Sequence, residues 1–127
     1  MTATSTTSHR DPGAELPLTA AVCSILMALS DGEKHGYAIM QAVAAETGGG
    51  VAMGPGTLYG SLDRMLRARL VEETEGGAAD PSERRRYYRL TDFGRRVLRA
   101  EVARLERAVS LARRKKLIVR PATGAHP

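Results

Sequence analysis

One cysteine, no tryptophan and a single phenylalanine are what the 127 residues have least of. A lone thiol, Cys23, excludes an intramolecular disulfide and any zinc cluster built on cysteines. Three histidines, His9, His35 and His126, lie far apart in the chain, so neither a metal site nor a catalytic triad assembles around them. No apolar run approaches the roughly 18 residues that a membrane span needs. Residues 1–13 are Thr/Ser-rich without a hydrophobic centre, which argues against a signal peptide. The stretch Gly49 to Gly54 is not a phosphate loop, because Pro55 stands where the lysine of that motif belongs and no strand precedes it. These absences leave a cytoplasmic, non-enzymatic, single-domain protein that calls for no cofactor and no metal.

What is present is an ordinary globular balance, with 43% hydrophobic and 26% charged residues. Nineteen Lys plus Arg against fourteen Asp plus Glu leave a net charge of +5. Arginine dominates the cations, which suits phosphate because guanidinium offers a rigid donor fork. It suits a GC-rich coding sequence equally well. The charge is graded along the chain: residues 1–55 are net acidic, and the excess of cations gathers after residue 91, ending in Arg113-Arg114-Lys115-Lys116. A solvated helix face with a basic tail explains such a run as well as a nucleic-acid patch does.

Periodicity orders the rest. Residues 1–15 read as a disordered leader closed by Pro12-Gly13. Thr19 to Leu29 is almost wholly apolar and predicts a helix buried on most sides, stopped at Ser30-Asp31-Gly32. A second helix runs from about His35 to Glu46, with Tyr37, Ile39, Met40 and Val43 as its stripe. Thr47 to Gly50 ends it, and Val51 to Gly56 is a connector. A third helix starts near Thr57 as N-cap, with Leu58, Leu62, Met65 and Leu66 facing inward. Strands are predicted at Leu70–Thr74 and Arg84–Leu90, joined by a turn-rich loop into a two-stranded hairpin. Thr91-Asp92 opens a last helix of about 25 residues, roughly 37 Å long. Along it Leu98, Val102, Leu105, Val109 and Ala112 alternate in steps of four and three, a coiled-coil seam. A domain this small cannot cover that length alone, so the seam predicts a homodimer. The fold expected is mainly α with a small β-hairpin: residues 16–90 a winged helix-turn-helix, 91–116 a C-terminal dimerisation helix, 117–127 a flexible tail.

In that arrangement the third helix enters the major groove and the hairpin loop reaches a neighbouring phosphate. Close approach needs small or hydrogen-bonding residues where the third helix begins, and Gly56, Thr57, Tyr59, Gly60 and Ser61 stand there. Arg84, Arg85 and Arg86 supply the hairpin's cations. Their alternation sends two toward phosphate and leaves the third to pair with Glu72 or Glu73. Arg64 has two readings, DNA contact or an ion pair with a nearby glutamate. Tyr37 also has two, DNA contact or packing between the second and third helices. Cys23, on a buried helix, reads as an inert core thiol.

The segments His35-Gly36-Tyr37, Gly56-Thr57-Leu58-Tyr59 and Arg86-Tyr87-Tyr88-Arg89-Leu90-Thr91-Asp92-Phe93-Gly94 resemble the PadR-type transcriptional regulators. The resemblance spans about Leu16 to Leu111, with three motifs in the right order. It implies a bacterial, dimeric winged-helix repressor that binds double-stranded DNA at an operator palindrome and is released by a small-molecule effector. It implies the short form of the family, with one C-terminal helix, and DNA contacts from Tyr37, Thr57, Tyr59 and the wing cations. Two positions depart from the family pattern. Gly60 replaces the usual proline after Gly-Thr-Leu-Tyr, and Glu73 to Gly77 is acidic and glycine-rich where an aromatic is usual. The alternative is a winged helix used only as a protein–protein adaptor, whose groove face would be apolar or acidic.

Overall fold

The computed structural model describes residues 10–75 and 86–118. Four helices and three short strands follow in the order α1 (Ala20–Leu29), β1 (Lys34–His35), α2 (Gly36–Glu46), α3 (Pro55–Arg67), β2 (Val71–Thr74), β3 (Tyr87–Leu90) and α4 (Asp92–Arg114). Three of the helices begin on a side-chain cap. Thr19 accepts from the Val22 amide at the head of α1, His35 Nδ1 from the Ala38 amide at α2, and Thr91 Oγ1 from the Gly94 amide at α4. The α3 start differs from expectation. Its N-cap is Gly54, which has no side chain to offer, and Pro55 occupies the first turn. Proline is pre-set for that position and lacks the amide that would go unbonded, so the helix begins two residues before Thr57, which lies inside the first turn and caps nothing.

The ends are more uniform than the beginnings. At α2, α3 and α4 an amide two residues past the C-cap bonds back five residues, and the preceding amide bonds back three: Gly49 to Ala44 and Gly48 to Ala45, Leu70 to Met65 and Arg69 to Leu66, Leu117 to Ala112 and Lys116 to Arg113. This pairing needs a left-handed residue. Gly48 supplies it in α2, but Arg69 and Lys116 supply it at φ 61° and 62° in the other two, positions that no glycine marked in the sequence.

The sheet has three strands in the order β1-β3-β2, all antiparallel. The expected hairpin was two-stranded; Lys34 and His35, the latter read as the start of the second helix, instead pair with Tyr88 and Tyr87. His35 serves twice, as the last strand residue and as the α2 cap, and its ring meets Tyr87 edge-on at 5.4 Å. Beneath the sheet a single core joins Ile25, Leu26 and Leu29 of α1, Ile39 and Val43 of α2, Leu58, Leu62 and Met65 of α3, Tyr88 of β3, and Phe93, Val97 and Leu98 of α4.

The segment from Arg10 to Glu15 is not part of a loose leader. Pro12–Glu15 form a 3-10 turn that packs on α4. The Arg10 guanidinium donates to Ala68 O at 2.8 Å, pairs with Glu15 at 3.2 Å and lies 4.1 Å from the Phe93 ring centroid. A flat cation over an aromatic face adds attraction to packing, a signal invisible to local periodicity.

Among the described residues Glu101 is the one charged residue of the core, 2% exposed on the inward face of α4. Arg104 clamps it through two bonds of 2.7 and 2.9 Å, and the Leu18 amide donates at 3.4 Å. The Arg104 bond holds its carboxyl below the usual carboxylate range despite burial. A group whose native pKa is depressed stabilises the fold above its unfolded value, and that contribution is lost as pH falls through the native one. The urea midpoint should therefore drop below about pH 4.3, and Glu101→Gln should flatten that drop while lowering stability at pH 7.

Gly94 tests the packing. A Cβ there would overlap the Leu70 carbonyl. Replacing a helical glycine by alanine ordinarily gains up to about 1 kcal/mol, but Gly94→Ala should lose about 2 kcal/mol or more by overpacking, read as a fall in the urea midpoint.

Candidate nucleic-acid interface

Four inward residues of α3, Leu58, Ser61, Leu62 and Met65, fix how the helix turns. At about 100° per residue the opposite side carries Gly56, Gly60, Asp63 and Arg67. Thr57 and Arg64 lie on one flank of that outer face and Tyr59 on the other. Thr57 and Tyr59 are exposed, as expected of groove-facing residues, and Gly60 is half-buried. Ser61 does not join them. It is 1% exposed, on the core stripe, where its hydroxyl accepts from Arg64 Nη2 at 3.3 Å. The same periodicity that places Leu58 and Leu62 inside places Ser61 between them, so its removal from the candidate list follows from spacing alone. Arg64 is exposed but leans back along the helix toward Ser61 rather than pairing with a glutamate.

Tyr37 and Tyr59 form the aromatic part of this surface. Tyr37, in the first turn of α2, is 61% exposed and does not pack between α2 and α3. Tyr59 is 40% exposed, with its ring lying over Gly36 so closely that a Cβ at that position would overlap the phenol. Glycine at 36 thus lets α3 sit against the head of α2. The motif His35-Gly36-Tyr37 contains this glycine, but the residue it touches lies 23 positions further along the chain.

The sheet contributes arginines that are already engaged. Arg86 pairs with Glu73, and Arg89 donates to Glu72 at 2.6 Å. The Arg86 guanidinium also lies 5.8 Å from the Tyr88 ring centroid. Burial pushes the Tyr88 phenol up, so it stays neutral across the physiological range. Arg86 is the expected cation spent on Glu73; Arg84 and Arg85 lie outside the described residues. Exposed pairs of this kind are worth little, and a phosphate oxygen can compete for either arginine.

Beyond the core, α4 extends with an apolar stripe that stays exposed among the described residues. Val102, Leu105 and Val109 are 37, 39 and 42% exposed, and Ala112 is half-buried. Leu98, expected at the head of the seam, belongs to the protomer's own core at 5% exposed, because α1 reaches that turn of α4. A cavity of about 300 Å³ opens where α1 ends against α4, lined by Ser30, Arg95, Leu98, Arg99, Val102 and Glu106. Cys23 is half-buried, and burial pushes its thiol up, as an unreactive sulfhydryl requires. Among the described residues, no group of three His, Cys, Asp or Glu is placed to hold a metal ion, and no helix is long and apolar enough to cross a membrane.

Three helices, a three-stranded sheet flanking them and a projecting α4 define a winged helix-turn-helix protein with a long C-terminal helix. Residues 25–100 match the model of the PadR-like transcriptional regulator family, and the chain belongs to that family, whose members are regulators and not enzymes. Among solved structures it is similar to a PadR-like transcriptional regulator from Bacillus cereus, with 26% identity, a TM-score of 0.63 and coverage of 78% of this chain and 92% of that one. It shares its fold with Bacillus subtilis PadR in complex with operator DNA, at 22% identity and a TM-score of 0.59 over 68% of this chain and 48% of that one. It is also 40% identical over 83 residues, or 65% of its length, to a 37.1 kDa protein in transposon Tn4556 of Streptomyces fradiae. The chain spans 22% of the length of that protein.

The contact between Gly36 and Tyr59 can be measured. Gly36→Ala should cost about 1–3 kcal/mol of stability. In a Tyr59→Ala background the cost should shrink to within about 0.5 kcal/mol, a coupling that a double-mutant cycle of urea midpoints reports.

Proposed function

We propose that the protein is a cytoplasmic homodimeric repressor that binds a palindromic operator and is released by a small-molecule effector. The observation that carries the DNA-binding part is the outer face of α3. Two exposed tyrosines, Tyr37 and Tyr59, and Thr57 surround a glycine-lined helix surface with no apolar patch. An adaptor would need an apolar or uniformly acidic face there. The operator complex of the Bacillus subtilis relative supports the same use of the fold. Phosphate contacts from the wing and helix ends supply affinity, and side chains of α3 supply preference.

The dimer reading rests on Val102, Leu105 and Val109, whose exposure continues the heptad steps past the end of the core. Two copies joined along α4 set two α3 helices about 34 Å apart, one turn of DNA. The effector reading rests on the cavity between α1 and α4, whose Arg95 and Arg99 suit an anionic group and whose Leu98 and Val102 suit an apolar one. A ligand there touches both the DNA-reading body and the dimer helix, so it can change the spacing of the two heads.

The test is a gel shift of the purified protein on DNA from immediately upstream of its own gene, across a salt series. A discrete complex that outcompetes random DNA at about 150 mM salt, weakening steeply as salt rises, is the expected outcome. Only salt-erased, indiscriminate binding would favour the adaptor instead. Leu105→Glu places like charges across the seam and should halve the mass seen by light scattering, while far-UV circular dichroism stays unchanged.

A further inference from the structure

Two glycines on the outer face of α3 meet no packing demand among the described residues. Glycine inside a helix costs about 0.5–1 kcal/mol relative to alanine. At Gly36 and Gly94 a Cβ would overlap a neighbour, so packing demands glycine there. At Gly56 a Cβ would meet nothing within 4 Å, and at Gly60 only the tip of Arg64 at 3.9 Å. Both have ordinary helical backbone, so neither needs a conformation that alanine lacks. What they provide is a bare helix surface that another molecule can approach closely.

Asp63 projects from that same surface, one turn beyond Gly60, and is the only acid in α3. It is exposed on the Tyr59 side of the outer face, near enough to Arg86 for the two opposite charges to attract. A carboxylate facing DNA is repelled by the phosphates on both groove walls. The Arg86 cation offsets part of that repulsion, and a donor on a base edge supplies the hydrogen bond. The major groove offers two, the amino groups of cytosine and adenine, but adenine sets an N7 acceptor beside its amino group. A carboxylate is repelled by that acceptor, so cytosine is the base it selects.

We propose that Asp63 is a specificity-determining residue that accepts a hydrogen bond from a cytosine amino group in each half-site, brought within reach by Gly56 and Gly60. This rests on the DNA-binding reading above. The experiment is selection of sites from a randomised duplex pool by the wild-type protein, Asp63→Asn and Asp63→Ala. Wild type should enrich a symmetric site with cytosine at one position of each half. Asparagine pairs with adenine through N6 and N7, so Asp63→Asn should turn that cytosine into adenine and leave the other positions alone. Asp63→Ala should lose about tenfold discrimination at that position only. Gly60→Ala should raise the melting temperature yet weaken binding to the selected site.

If wild type enriches no sequence, the DNA-binding reading itself fails. If it enriches a site and both Asp63 variants enrich the same site with unchanged discrimination, the role given to Asp63 is overturned while the regulator stands. Tighter binding to every sequence without a change of preference also overturns it, since the carboxylate would then act as a repulsive charge alone.

Discussion

Three successive carbonyls, those of Ala68, Arg69 and Leu70, hold the molecule in its working shape. They follow the end of α3, where the helix leaves acceptors without amide partners. Arg10 takes the first at 2.8 Å, the Thr91 hydroxyl the second at 2.6 Å, and the Thr91 amide the third at 3.1 Å. Thr91 also caps α4, and Gly94 lets that helix close over the Leu70 carbonyl. One knot therefore joins the end of α3, the start of β2, the end of β3 and the head of α4. These bonds and the close contact at Gly94 tie the head of α4 to the segment that ends α3.

Charge is distributed by a similar logic. The carboxylate that must be buried, Glu101, is clamped by Arg104, which spares the core an uncompensated ion. At the surface the pairs are looser. Glu72 and Glu73 hold Arg89 and Arg86 in the open, where exchange for another anion costs little. Glu73, the first residue of the acidic stretch that departs from the family pattern, is thus a partner for Arg86. These pairs orient the wing cations without consuming them.

Much of the architecture was legible in advance because hydrophobic spacing and turn chemistry are local. The α1, α2 and α4 spans, the Thr91 cap and the glycine-marked end of α2 all follow from residues a few positions apart. The misreadings share one cause. Thr57 has the side chain of a cap, but Pro55 had already started the helix. Lys34 and His35 look like the approach to a helix, yet they pair with a strand some fifty residues away. Ser61 is polar, but it falls on the buried stripe. The α3 and α4 ends carry no glycine, so Arg69 and Lys116 in left-handed conformation left no mark.

What the sequence determined by itself is the succession of elements, the heptad stripe on α4 and the motifs that place the chain in its family. These depend on interactions between near neighbours, which spacing records. Only the tertiary structure decided that Leu98 belongs to the core, that Arg10 closes on Phe93, and that Gly36 and Gly94 are contacts while Gly56 and Gly60 are not. Each of these depends on a residue distant in the chain arriving within a few ångströms. Packing of whole elements sets that arrangement, and a one-dimensional pattern does not encode it.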